Sequence, residues 1–139
     1  MPSDFHAFLK LSLFLAGVGH LLIAVANFIL PGMLRYRENL ARVSPIIRQI
    51  FLVHAAYIVL VLVGFSGLCL FFADDLAGRS VLGRCLSGFM AVFWLSRVGL
   101  QMVYYDPVIK REHPWGNLVF TAAFLALGVV FAAACLFGK

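Results

Sequence analysis

Four stretches of this chain, Leu11–Leu30, Ile46–Phe72, Val81–Tyr105 and Trp115–Phe137, are apolar over the length that a bilayer demands. A helix rises ~1.5 Å per residue, so a ~30 Å hydrocarbon core takes about 20 residues. Polar residues interrupt the second and third stretches near their ends, and the third contains Arg97. The runs are continuous, without the alternation of a membrane barrel, which selects helices over strands. Hydrophobic residues make up 63% of the 139 and charged residues 12%, against averages of about 45–50% and about 25% in soluble domains. A soluble fold of this size could not enclose that much apolar surface. The predicted architecture is therefore all-α: one domain, residues 1–139, forming an integral membrane up-and-down four-helix bundle.

The first run reads as a retained span and not a cleaved signal, because it exceeds the usual apolar core of a signal and contains His20 and Asn27. Pro31-Gly32 is expected to end it, since proline cannot continue a helix and glycine suits the turn. Beyond it, Met33, Tyr36, Leu40 and Val43 recur at helical spacing among Arg35, Arg37, Glu38, Asn39 and Arg42. That pattern predicts a short amphipathic helix lying in the interface between the first two spans. The second loop, Ala73–Ser80, is short and carries Asp74, Asp75, Gly78 and Arg79. The third, Asp106–Pro114, is polar and bounded by Asp-Pro and His-Pro.

The net charge of +5 does not point to nucleic acid, because the cations flank spans, where they set topology and meet lipid headgroups. Arg35, Arg37, Arg42, Arg48, Lys110 and Arg111 belong to one side, and Lys10, Arg79, Arg84 and Lys139 to the other. This bias places loops 31–45 and 106–114 in the cytoplasm of a plasma or inner membrane, with both termini outside. Cys69, Cys85 and Cys135 lie in or beside the spans without CxxC spacing, and read as buried structural thiols. Small residues recur in every span, among them Gly17, Gly19, Gly83, Ser87 and Gly88, and are read as helix packing.

Converting position to depth gathers the polar residues into one leaflet. His20 lies about 15 Å from the loop-one surface, and His54 and Arg97 each about 12 Å, at ~1.5 Å per residue. Asn27, Gln49, Gln101, Tyr104, Tyr105, Trp115 and Asn117 come nearer that surface, whereas the opposite leaflet holds little beyond Ser12, Ser66 and Ser87. Trp94, Arg97, Gln101, Tyr104 and Tyr105 form a stripe on the third span, His54 and Tyr57 share a face of the second, and His20, Ala24 and Asn27 share a face of the first. The economical expectation turns all three polar faces inward. No span contains Asp or Glu, so carbonyls, a headgroup phosphate or an anionic ligand are expected to meet Arg97.

Three functions remain open at this point. In the first, His20 and His54 ligate the iron of a haem b, Arg97 or Arg48 meets a propionate, and Gly17 and Gly19 make room for the macrocycle. A quinone is the alternative cofactor, with His and Tyr57 as donors and Trp94 or Phe93 as a wall; either implies membrane electron transfer. The second is a non-catalytic subunit or assembly factor whose polar face contacts a partner chain or a second copy. The third is a lipid-binding or transport protein. Hydrolysis is disfavoured because the apolar core offers no carboxylate and no nucleophile–base pair. The residues in common are His20, Asn27, His54, Tyr57, Trp94, Arg97 and Gln101.

Overall fold

The computed structural model of the chain describes residues 3–104, 111 and 114–138. All regular structure among them is helical: α1 Ser3–Met33, α2 Tyr36–Leu40, α3 Pro45–Phe71, α4 Ala73–Ala77, α5 Val81–Val103 and α6 Pro114–Phe137. Four of these, α1, α3, α5 and α6, are long and apolar enough to cross a membrane. Successive spans alternate in direction. Phe5 near the start of α1 meets Phe137 at the end of α6 edge-on, with centroids 6.4 Å apart, so both chain ends share one face of the bundle.

Two features of the loops differ from expectation. First, α1 does not stop at Pro31 but runs on to Met33. Proline removes one backbone donor and is tolerated this close to a helix end, and the Leu34 N–H still closes on the Leu30 carbonyl at 2.9 Å. The chain turns instead at Arg35, which takes the left-handed conformation (φ 50°, ψ 45°), while no described glycine does. A short helix stands between the first two spans as expected, α2, with Tyr36 packed edge-on against Phe51 of α3 at 5.3 Å.

Second, loop two is not a plain loop. Its residues form α4, which buries Leu76 and Ala77 between the span ends. Ser87 Oγ donates to the Leu76 carbonyl at 3.3 Å, and Lys10 Nζ pairs with Asp74 at 2.5 Å. Ser80 caps α5 by accepting the Gly83 N–H at 2.9 Å, a standard way to satisfy a first-turn donor. Gly83 is needed where it stands, because a Cβ there would collide with the Asp75 carbonyl. Arg84 Nε donates to the Cys135 carbonyl at 3.0 Å. This end of the bundle is tied shut.

Lipid tails are as apolar as the side chains, so membrane helices associate by close packing and internal hydrogen bonds. The tightest pairs are α1 with α3 and α5 with α6. Between α1 and α3, Ser66 Oγ donates to the Gly17 carbonyl at 2.9 Å, and a Cβ on Gly17 would stand 2.9 Å from Leu70 and 3.0 Å from Cys69. Between α5 and α6, a Cβ on Gly128 would stand 2.6 Å from Leu95. The space beside Gly17 is thus filled by α3 and not free for a ligand. The cysteines differ as well: Cys69 is buried, but Cys85 is exposed and Cys135 half-buried, all as free thiols.

Burial is unevenly spread along α3. Its buried residues, Leu62, Phe65, Ser66 and Cys69, all lie in its second half. Over Pro45–Val61, about 25 Å of helix at ~1.5 Å per residue, only Ala55 and Val59 are even half-buried. Further toward this end α5 still buries Gln101. Over its first half, toward loop one, α3 stands clear of the bundle.

Candidate functional site

At the centre of the bundle His20 is fully enclosed, with an exposure of 0%. Its Nδ1 lies 2.6 Å from the Ala16 carbonyl oxygen one turn earlier on α1. A carbonyl only accepts, so Nδ1 carries the hydrogen and Nε2 of the neutral ring is left as an acceptor. The donor it needs comes from α5: the indole Nε1–H of Trp94 points at Nε2 across 3.0 Å. Both ring nitrogens are therefore engaged, and the tautomer follows from the partners.

Aromatic rings surround this bond. Phe65 of α3 and Phe131 of α6 each stand 5.7 Å from the imidazole, centroid to centroid. Trp94 stacks on Phe124 of α6 at 5.1 Å with an interplanar angle of 27°. Over Phe124 lies the half-buried guanidinium of Arg97, its Cζ 5.3 Å from the ring centroid. A cation so placed is attracted by the ring quadrupole. His20, Trp94, Phe124 and Arg97 thus form a continuous column linking α1, α5 and α6. Phe65 extends it to α3 and to Phe93 of α5, whose ring is 5.3 Å away.

A second polar group lies toward the loop-one end of the α5–α6 pair. The Gln101 side chain is 8% exposed. Its Nε2 donates to Asn117 Oδ1 at 3.0 Å and to Thr121 Oγ1 at 3.1 Å. Thr121 in turn donates to the Asn117 carbonyl at 2.7 Å. Asn27 takes no part, donating instead to the Ile23 carbonyl of its own helix at 2.8 Å.

The expected inward convergence of three polar stripes holds for α1 and α5 and fails for α3. His20, Trp94 and Arg97 come together, with Phe124 as the link that sequence reasoning missed. His54 and Tyr57 are exposed on the outside of α3. The His54 Nδ1 bonds locally to the Ile50 carbonyl at 2.8 Å. The two imidazoles are consequently not presented to a common iron, and His20 could ligate one only by giving up Trp94 or the Ala16 carbonyl. Tyr104 at the end of the α5 stripe is 84% exposed, which suits an interfacial aromatic. Tyr105, Asp106, Lys110, Glu112 and His113 lie outside the described residues. Among the described residues no three of His, Cys, Asp and Glu converge as a metal-ion site.

A cavity lies beside the column. A groove of about 490 Å³ runs between α1 and α6, lined by Ser12, Ala16, Gly19, Ala26, Ala123 and Ala126 among others, and is almost wholly apolar. No charged side chain lines it. Comparison of the chain with protein-family models, with curated proteins and with solved structures finds no match.

Proposed function

We propose that this protein is a non-catalytic membrane component that binds another transmembrane helix through the loop-one half of α3. The observation that carries this reading is the bare half-span Pro45–Val61, on which His54 and Tyr57 are exposed, in a helix long and apolar enough to cross a membrane. Polar side chains in hydrocarbon are rare and usually meet a partner. Three polar groups inside the bundle are engaged with other spans: His20 with Trp94, Gln101 with Asn117 and Thr121, Ser66 with the Gly17 carbonyl. They act as fasteners between spans. No nucleophile lies beside a free base in them, so the column favours a structural role over a reactive one.

The test is the size of the complex released from native membranes by mild detergent. Wild-type protein is expected in an assembly larger than the monomer, and replacing both His54 and Tyr57 with leucine is expected to release the monomer. An assembly unchanged by that double substitution would contradict the reading.

A second reading rests on the groove between α1 and α6. Its apolar walls suit the isoprenoid tail of a quinone or the acyl chain of a lipid. Organic extraction of the purified protein followed by mass spectrometry would recover such a molecule in fixed ratio to protein. Narrowing the groove with Ala123→Leu would remove it.

A further inference from the structure

The inference concerns which helix covers α3, and it rests on the association reading above. Ile47, Ile50, His54, Tyr57, Val61 and Gly64 follow one another at helical spacing along one side of α3, all of them exposed, in a helix whose first half is exposed on nearly every side. Because His54 Nδ1 is bonded to the Ile50 carbonyl, that nitrogen is the donor and Nε2 is the acceptor. Tyr57, one turn on and 63% exposed, carries a hydroxyl donor on the same face. Among the described residues neither Nε2 of His54 nor the Tyr57 hydroxyl meets a hydrogen-bond partner. The stripe therefore holds one unmet acceptor and one unmet donor, a turn apart.

That pair is self-complementary. Copies of a membrane protein share one orientation, so a two-fold axis along the membrane normal sets equal depths face to face. In such an isologous contact, residue i of one copy meets residue j of the other and the reverse. We propose that α3 pairs with α3 of a second copy, each Tyr57 hydroxyl donating to Nε2 of His54 across the axis. Lipid tails offer neither group. Gly64 supports the approach: it is exposed on the same stripe and has nothing within 4 Å of where a Cβ would stand. Small residues of this kind let two membrane backbones come close. Ile47, Ile50 and Val61 supply the apolar packing around the two bonds.

The test uses the purified full-length protein reconstituted in phosphatidylcholine–phosphatidylglycerol vesicles, where the only available helix partner is another copy. Subunits are counted by single-molecule photobleaching over a range of protein-to-lipid ratios. Wild type is expected to dimerise. His54→Leu and Tyr57→Phe are each expected to weaken the dimer about tenfold, since each removes two symmetric bonds of the size measured between membrane helices. The double exchange His54→Tyr with Tyr57→His keeps a donor and an acceptor on the stripe and is expected to restore pairing. In a background with Cys69, Cys85 and Cys135 replaced, Val61→Cys is expected to form an inter-subunit disulfide and Val92→Cys on α5 is not. Circular dichroism confirms that each variant is folded. A monomer at every ratio, a dimer indifferent to both single substitutions, or cross-linking through Val92→Cys would overturn the proposal. A monomer here together with a larger assembly in native membranes would reject the second copy and retain the association reading; a monomer in both would reject both.

Discussion

The indole N–H of Trp94 and Nε2 of His20, 74 positions apart in the chain, form a 3.0 Å hydrogen bond sealed from both lipid and water. It joins α1 to α5, which belong to different closely packed pairs. Because Nδ1 of the same ring is held by the Ala16 carbonyl, the imidazole cannot turn without losing a partner on each side. The bond ties the two halves of the bundle together at this level.

Removing either partner alone leaves a buried polar group unmet. Trp94→Phe and His20→Phe are each expected to destabilise the bundle by about 1–2 kcal/mol. The double variant should fall short of the sum by about 1 kcal/mol, as residues in direct contact do. Denaturant unfolding in mixed micelles measures the cycle. Strict additivity would mean that the bond contributes nothing.

The glycines separate by what surrounds them. Gly83→Ala drives a methyl into the backbone carbonyl of Asp75, whereas Gly19→Ala meets nothing within 4 Å. The first is expected to cost about 1–3 kcal/mol, the range for overpacking a filled site, and the second nearly nothing. Thermal unfolding of the two variants compares them directly.

Arg97 and Arg84 sit in unlike places. Arg97 is half-buried over Phe124, while Arg84 is exposed and reaches the Cys135 carbonyl at the closed end of the bundle. Arg97→Leu is therefore expected to shift the emission of Trp94, which stacks on the same Phe124 ring, and to destabilise the fold by about 1 kcal/mol. Arg84→Leu should leave that emission unchanged. A Trp115→Phe background isolates the Trp94 signal.

The four spans were legible because a bilayer imposes a length, and continuous apolar runs meet it with little ambiguity. The nearness of His20 and Arg97 was legible for a related reason, since the rise per residue is nearly constant, but the same conversion set His54 level with His20, whereas His20 packs against Phe65 of α3, eleven residues further along that helix. The facing of α3 was not. Its sequence is apolar almost all round, so polarity alone could not say whether His54 and Tyr57 turn inward, and the assumption that polar faces converge put them on the wrong side. Phe124 was invisible among 14 phenylalanines, none of which announces a stacking partner. Ala73–Ala77 reads as loop because of Asp74 and Asp75, yet Leu76 and Ala77 bury themselves once the span ends are assembled. Pro31 misled in the opposite sense, because a proline so near a helix end costs too little to stop it.

The central claim is that the first half of α3 faces protein in the membrane and not lipid alone. A photoreactive phenylalanine analogue placed at Ile50, and for comparison at Val92 on α5, tests this in native membranes; both side chains are exposed in the isolated chain, at 50% and 67%. The account predicts a protein adduct of discrete mass from position 50 and lipid adducts alone from position 92. Lipid adducts alone from both positions would contradict it.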